Sequence, residues 1–177
     1  INYSNKLINK SSSNLVLFVD QSFNISGLKK IISSNEFLYI IDLLKTSDLK
    51  KSLLVFKTSS KKTIFLVSIK KDLKNSDIEN LGANFHNYIN YDKKNDYLVN
   101  SDTISSKIEN FIGYFLHGLK LKSYEFNIYK SKKKKNIVSI NVTGNKNKIS
   151  TQDHLRFKAL EEGSFFARDL VSEPGNI

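Results

Sequence analysis

An alternation of two hydrophobic periods constrains this chain more than any other feature. Strand-length apolar runs are separated by segments whose apolar residues recur every three or four positions, and a chain that switches between those periods folds as a sheet covered by helices. The first run, Leu15-Val16-Leu17-Phe18-Val19, is closed by Asp20 and predicts a buried strand. From Ile25 to Leu44 the apolar positions Leu28, Ile31 and Ile32, then Phe37, Ile40, Ile41 and Leu44, predict two short helices. Leu53-Leu54-Val55-Phe56 and Ile64-Phe65-Leu66-Val67 flank the polar connection Ser59-Ser60-Lys61-Lys62. They are expected to be adjacent antiparallel strands in the centre of the sheet.

Strand and helix continue to alternate downstream. Ser76 or Asp77 is placed to cap a helix carrying Ile78, Leu81, Phe85 and Ile89, and Asp96 to Val99 returns as a strand. Ile104, Ile108, Phe111, Ile112, Phe115 and Leu119 predict the clearest helix, four turns with one apolar face. Tyr124-Glu125-Phe126-Asn127-Ile128 and Ile137-Val138-Ser139-Ile140-Asn141-Val142 alternate with the two-residue period of strands, and Gly144-Asn145 marks a turn. Thr151 or Asp153 begins a last helix bearing Leu155, Ala159, Phe166, Ala167 and Leu170, stopped by Pro174 and expected to point out of the domain. The fold class expected is α/β: a three-layer α/β/α domain on a mixed sheet, followed by that helix.

Composition limits what such a domain can do. No apolar stretch nears the ~20 residues of a membrane span, and Ile1 to Lys6 lacks the layout of a secretory signal, so a soluble, cytoplasmic protein is expected. The chain has no cysteine, which removes disulfides and thiolate metal sites. It also has no methionine, so Ile1 is not an initiator, and both ends read as cut. A net charge of +11 raises the question of a nucleic-acid partner. All but Arg156 and Arg168 of the 28 basic residues are lysine, without the planar fork that reads bases and phosphates. Together with abundant Asn, Ile and Ser, that bias reads as codon drift, and nucleic-acid binding is not the expected role.

Candidate sites each have an ordinary structural explanation. His86, His117 and His154 match no metal-ligand spacing and read as surface or helix-edge histidines. Asp72, Asp77 and Glu79, and separately Asp92 and Asp96, stand where carboxylates cap helices and turns. No Gly-x-Ser-x-Gly elbow or phosphate-binding glycine loop is present. Lys130-Ser131-Lys132-Lys133-Lys134-Lys135 reads as a solvated hairpin loop. Tyr124, Phe126 and Tyr129 lie beside it, and the alternation puts Tyr124 and Phe126 on one packed sheet face.

Two segments add a resemblance. Ala159-Leu160-Glu161-Glu162-Gly163-Ser164-Phe165-Phe166-Ala167-Arg168-Asp169-Leu170-Val171-Ser172-Glu173-Pro174-Gly175-Asn176 resembles the segment joining the two domains of leucyl aminopeptidases, with Ser172 where that family usually has Asn. Gly118 to Lys133, through Tyr124, Phe126, Tyr129, Lys130, Lys132 and Lys133, is similar to the family's Tyr-x-Phe-x-x-Tyr-Lys-x-Lys-Lys signature, and Leu81-Gly82-Ala83 agrees with the same layout. The resemblance implies a non-catalytic, macro-domain-like amino-terminal domain over 1–150, then a linking helix and the start of a catalytic domain over 151–177. It also implies a cytoplasmic homohexamer acting on peptides through two divalent ions, manganese or zinc, held in that catalytic domain. The family's Asn-Thr-Asp-Ala-Glu-Gly-Arg hallmark is missing from this sequence, so no catalytic, cofactor-binding or metal residue is assigned to any position. In the linking segment, Gly163 is expected to permit close helix packing, and Arg168 and Asp169 to pair or cap at the helix end.

Overall fold

A computed structural model describes residues 2–4, 14–89, 96–105, 107–126 and 138–173. Six strands form one sheet: β1 (Asn2–Ser4), β2 (Asn14–Asp20), β3 (Leu53–Lys57), β4 (Thr63–Ile69), β5 (Asp96–Asn100) and β6 (Ser139–Thr143), in the order β1-β6-β5-β2-β4-β3. Every neighbouring pair is parallel except β3 with β4, so the sheet is mixed as the hairpin predicts. The helices are α1 (Ser34–Leu44), α2 (Asn75–His86), α3 (Phe111–Lys122) and α4 (Thr151–Ser172), with short 3-10 turns at Ser26–Lys30 and Ser101–Thr103.

The uninterrupted apolar runs are explained by burial on both faces. On β2, Leu15, Leu17 and Val19 meet Leu28, Ile32, Phe37 and Ile40 of the first helical layer, while Val16 and Phe18 face α2 and α3. The second face is aromatic: Phe18 lies edge-on to Phe111 at 5.4 Å and to Phe115 at 5.3 Å. Each such pair contributes about 0.5–1.5 kcal/mol beyond the area it buries. β3 is not central but ends the strand order, and Val55 is 39% exposed. An apolar run reports covered faces, and says nothing about whether both strand edges are paired.

Two further expectations change. The predicted four-turn helix begins only at Phe111, because Asn110 takes a left-handed conformation (φ 56°) that no α-helix continues through. Ile104 is buried and Ile108 partly so in the segment before it, which extends the apolar period without extending the helix. Tyr124 to Phe126 form no strand, and residues 127–137, with the lysine run, Tyr129 and Ile137, lie outside the described residues. Asp92 and Pro174 do so too.

The helix starts follow capping chemistry. Ser33 accepts the Glu36 N–H while Glu36 accepts from Ser33, and Lys62 reaches Glu36 at 2.7 Å. Burial pushes the Glu36 carboxyl up, but Lys62 and Ser33 together outweigh it and hold the group below its usual range. Asp77 does not itself cap α2; from the third position its carboxylate accepts the Lys74 N–H at 2.8 Å. For α4 the cap is Ser150, whose hydroxyl accepts the Asp153 N–H at 3.0 Å.

Candidate functional site

The feature that the domain itself leaves unexplained is α4. Its 22 residues bury only Phe157 and Glu161. Phe157 seats against Gly113 of α3, where a Cβ would come within 2.4 Å of the ring, and lies edge-on to Tyr114 at 5.2 Å. Glu161 Oε1 meets His117 Nδ1 at 3.2 Å, with both side chains buried. About two turns further, the Tyr124 hydroxyl donates to Asp169 at 2.7 Å. Arg168 donates to the Leu121 carbonyl at 2.8 Å and lies 5.4 Å from the Tyr124 ring centre. A guanidinium there also opposes the negative end of the α3 dipole.

The root of α4 is tied down as well. Asp102, just after β5, accepts the N–H groups of Asn145 and Lys146, each at 2.8 Å. Ser101 donates to the Thr143 and Lys146 carbonyls, and Gly144 (φ +118°) makes the intervening turn, where a side chain would also strike Ser101. The Lys146 N–H, with the Asn145 N–H and the charges of Lys146 and Lys148, outweighs partial burial and holds Asp102 below the usual carboxylate range.

The opposite face of α4 is apolar and open. Leu155 is 61% exposed, Leu160 52%, Phe166 65%, Leu170 56% and Val171 86%. The stripe read from the sequence is therefore present, but it faces away from the domain. The inward face is Phe157, Glu161, Phe165 and Asp169, spaced four residues apart and polar at every second position. These exposed apolar residues share one side of α4, turned away from the sheet.

The other candidates resolve individually. His117 is buried and paired, contrary to the surface reading; α3 is apolar on nearly every side, and a helix of that kind is buried all round, so its one histidine needs a partner. His86 and His154 are half-buried on separate helices. Asp72 is exposed, and Glu79 lines an open groove of about 440 Å³ with Ala83, Tyr124 and Arg168. Asp96 begins β5. Among the described residues no group of three or more His, Asp or Glu side chains is assembled to hold a metal. Arg168 and Asp169 neither pair with each other nor cap their own helix by side chain, but clamp the end of α3. Gly163 has nothing within 4 Å of its would-be Cβ, so it makes no close contact in this domain. The close approach belongs instead to Gly82 and Gly118, where α2 and α3 touch backbone to backbone. At the carboxyl ends of the central strands a cavity of about 280 Å³ is lined by Asp20 and Asp102, a sign of charge that opposes a phosphate ligand. No helix among the described residues is long and apolar enough to cross a membrane.

The architecture, a mixed α/β sheet with a trailing helix, recurs in solved aminopeptidases. A cytosol aminopeptidase from Coxiella burnetii superposes with a TM-score of 0.61 at 11% identity, over 97% of this chain and 33% of its own. A tomato leucine aminopeptidase variant gives 0.63 at 15% identity, over 98% and 38%. The bottromycin maturation enzyme BotP, solved with manganese, gives 0.63 at 10% identity, over 93% and 32%. No protein-family model and no curated protein sequence matches the chain. The shared fold agrees with the family resemblance carried by Tyr124 to Lys133 and Ala159 to Asn176, and the chain spans about a third of the length of these structures.

Proposed function

We propose that this chain is the amino-terminal, non-catalytic part of a metal-dependent leucyl aminopeptidase that releases amino-terminal residues from peptides. The reading rests on one coincidence: the whole chain matches about a third of each aminopeptidase structure, and its last helix carries both the family-like segment and an uncovered apolar face. Division at 150/151, where Ser150 caps α4, separates the domain from its linking helix. On the same reading the paired manganese or zinc ions are held by the catalytic domain of the parent. A cytoplasmic homohexamer is part of the same reading.

Domain and linking helix then have an architectural role, holding a catalytic domain and shaping the approach to it. The test is to assay the full-length gene product and the 177-residue chain on leucine amides, with and without chelator. Chelator-sensitive turnover is expected from the parent and none from the chain alone. A parent without such turnover, or turnover by the pure chain, would overturn the assignment. Salt-sensitive binding of labelled DNA by an inactive parent would favour a free-standing binding module instead.

A further inference from the structure

We propose that the outward face of α4 seats a helix from the remainder of the parent chain, packed close to the α4 backbone over Ala159, Gly163 and Ala167. This rests on the reading that a longer parent exists. Those three small residues fall four apart, on the row that runs from exposed Leu155 to exposed Val171, with exposed Phe166 and Leu170 on the row beside it. Such a row forms a shallow groove, and the ridge of a second helix fits a groove running along positions four apart.

Gly163 supplies an independent argument. Glycine within a helix disfavours it relative to alanine, and here nothing inside the domain comes within 4 Å of a Cβ at this position. Gly82, Gly113 and Gly118 each have a neighbour that forbids a side chain, whereas Gly163 has open space. Gly27 is equally open but lies in a 3-10 turn, so among the α-helical glycines of the described residues Gly163 alone lacks such a neighbour, and the proposed helix would supply one.

The size of the face selects the occupant. A helix of 22 residues is about 33 Å long, so one face some 10 Å wide offers roughly 300–400 Å², about half of the ~800 Å² per partner in a stable interface between free proteins. A tethered segment needs less, because its effective concentration reaches the millimolar range. The chain leaves α4 beside Leu170 and Val171, so a following segment starts at the edge of this face. A second copy or a separate protein would need additional surface.

Hydrogen exchange along α4 should be compared in the parent and in the 177-residue chain, together with thermal unfolding of Gly163→Leu and Phe166→Ser in both. In the short chain, Gly163→Leu has room and gains helix propensity, so the midpoint holds or rises by about 2–4 °C. In the parent the same change lowers the midpoint and speeds α4 exchange, and Phe166→Ser does likewise while leaving the short chain unaltered. If Gly163→Leu prevents folding of the parent, Phe166→Ser and wild-type exchange still decide. Equal α4 exchange in both wild-type forms, or Gly163→Leu of the same sign in both, overturns the proposal. So does a dimer of the short chain that Phe166→Ser dissociates, which would make a second copy the occupant. None of these readouts uses catalysis: an inactive parent with protected α4 defeats the functional reading alone, and an active parent with unprotected α4 defeats this one alone.

Discussion

α3 is held from two sides in opposite ways. Against α2 it packs backbone to backbone: a Cβ on Gly82 would fall 1.9 Å from the Phe115 carbonyl oxygen, and one on Gly118 would fall 2.0 Å from that of Glu79. Aromatic and aliphatic side chains fill the rest of that contact, including Phe85 stacked on Phe115 at 5.9 Å. Against α4 it is joined by one buried ring, Phe157, and by the polar contacts His117–Glu161, Tyr124–Asp169 and Arg168–Leu121. The first contact is specified by shape and cannot shift without overlap. The second is directional, sets where α4 lies along α3, and leaves an apolar face outside.

The sharpest way to break this contrast is Gly118→Leu. The obstacle is backbone, which cannot rotate aside, so a loss of about 3 kcal/mol is expected, at the upper end of overpacking costs. Chemical denaturation of the 177-residue chain would register it as one lowered transition shared by sheet and helices. A near-neutral result would mean that the two helices are not in backbone contact.

Glu161→Ala tests the other side. It leaves His117 buried without this partner, at a cost of about 1–3 kcal/mol. The loss should be local, with faster hydrogen exchange in α4 and unchanged protection in β2 and β4. Uniform loss across the sheet would show that α4 belongs to the cooperative core.

Acid offers a graded version at the root of α4. A carboxyl whose folded pKa is depressed stabilises the fold above its unfolded value, near 3.9, and that contribution fades as pH falls through the folded pKa. The Asn145 and Lys146 amide resonances should therefore move only below about pH 4 and should not titrate in Asp102→Asn. Movement centred above pH 5 would contradict the arrangement. The smallest effect is expected for Tyr124→Phe, which removes the hydrogen bond to Asp169 but keeps the ring under Arg168 and beside Phe165. Exchange should quicken slightly in the last turn of α4 and nowhere else.

Much of the scaffold was legible because burial repeats locally. Leu15 to Val19 could be read as a strand covered on both faces, and Ile78, Leu81 and Phe85 as one helix stripe, since each pattern needs only neighbouring residues. The same signal misled at Ile104 and Ile108, which are shielded by the core without being helical. His117 and Glu161 are 44 positions apart, so no local pattern joins them, although a lone histidine in an otherwise apolar helix was a usable warning.

What the sequence by itself determined was most of the inventory: β2 to β6 and α1 to α4 in order, a mixed sheet between helical layers, and an amphipathic last helix, but not β1, and with a strand at Tyr124 that does not form. Tertiary structure decided the order of the strands, which glycines carry the helix contact, and which face of α4 meets the domain. The apolar stripe on α4 was real, yet the domain is met by the face that carries Phe157 and Glu161. The physical reason is that hydrophobic burial is non-directional: a stripe states that a surface must be covered, whereas what covers it depends on shape and on hydrogen bonds between distant residues.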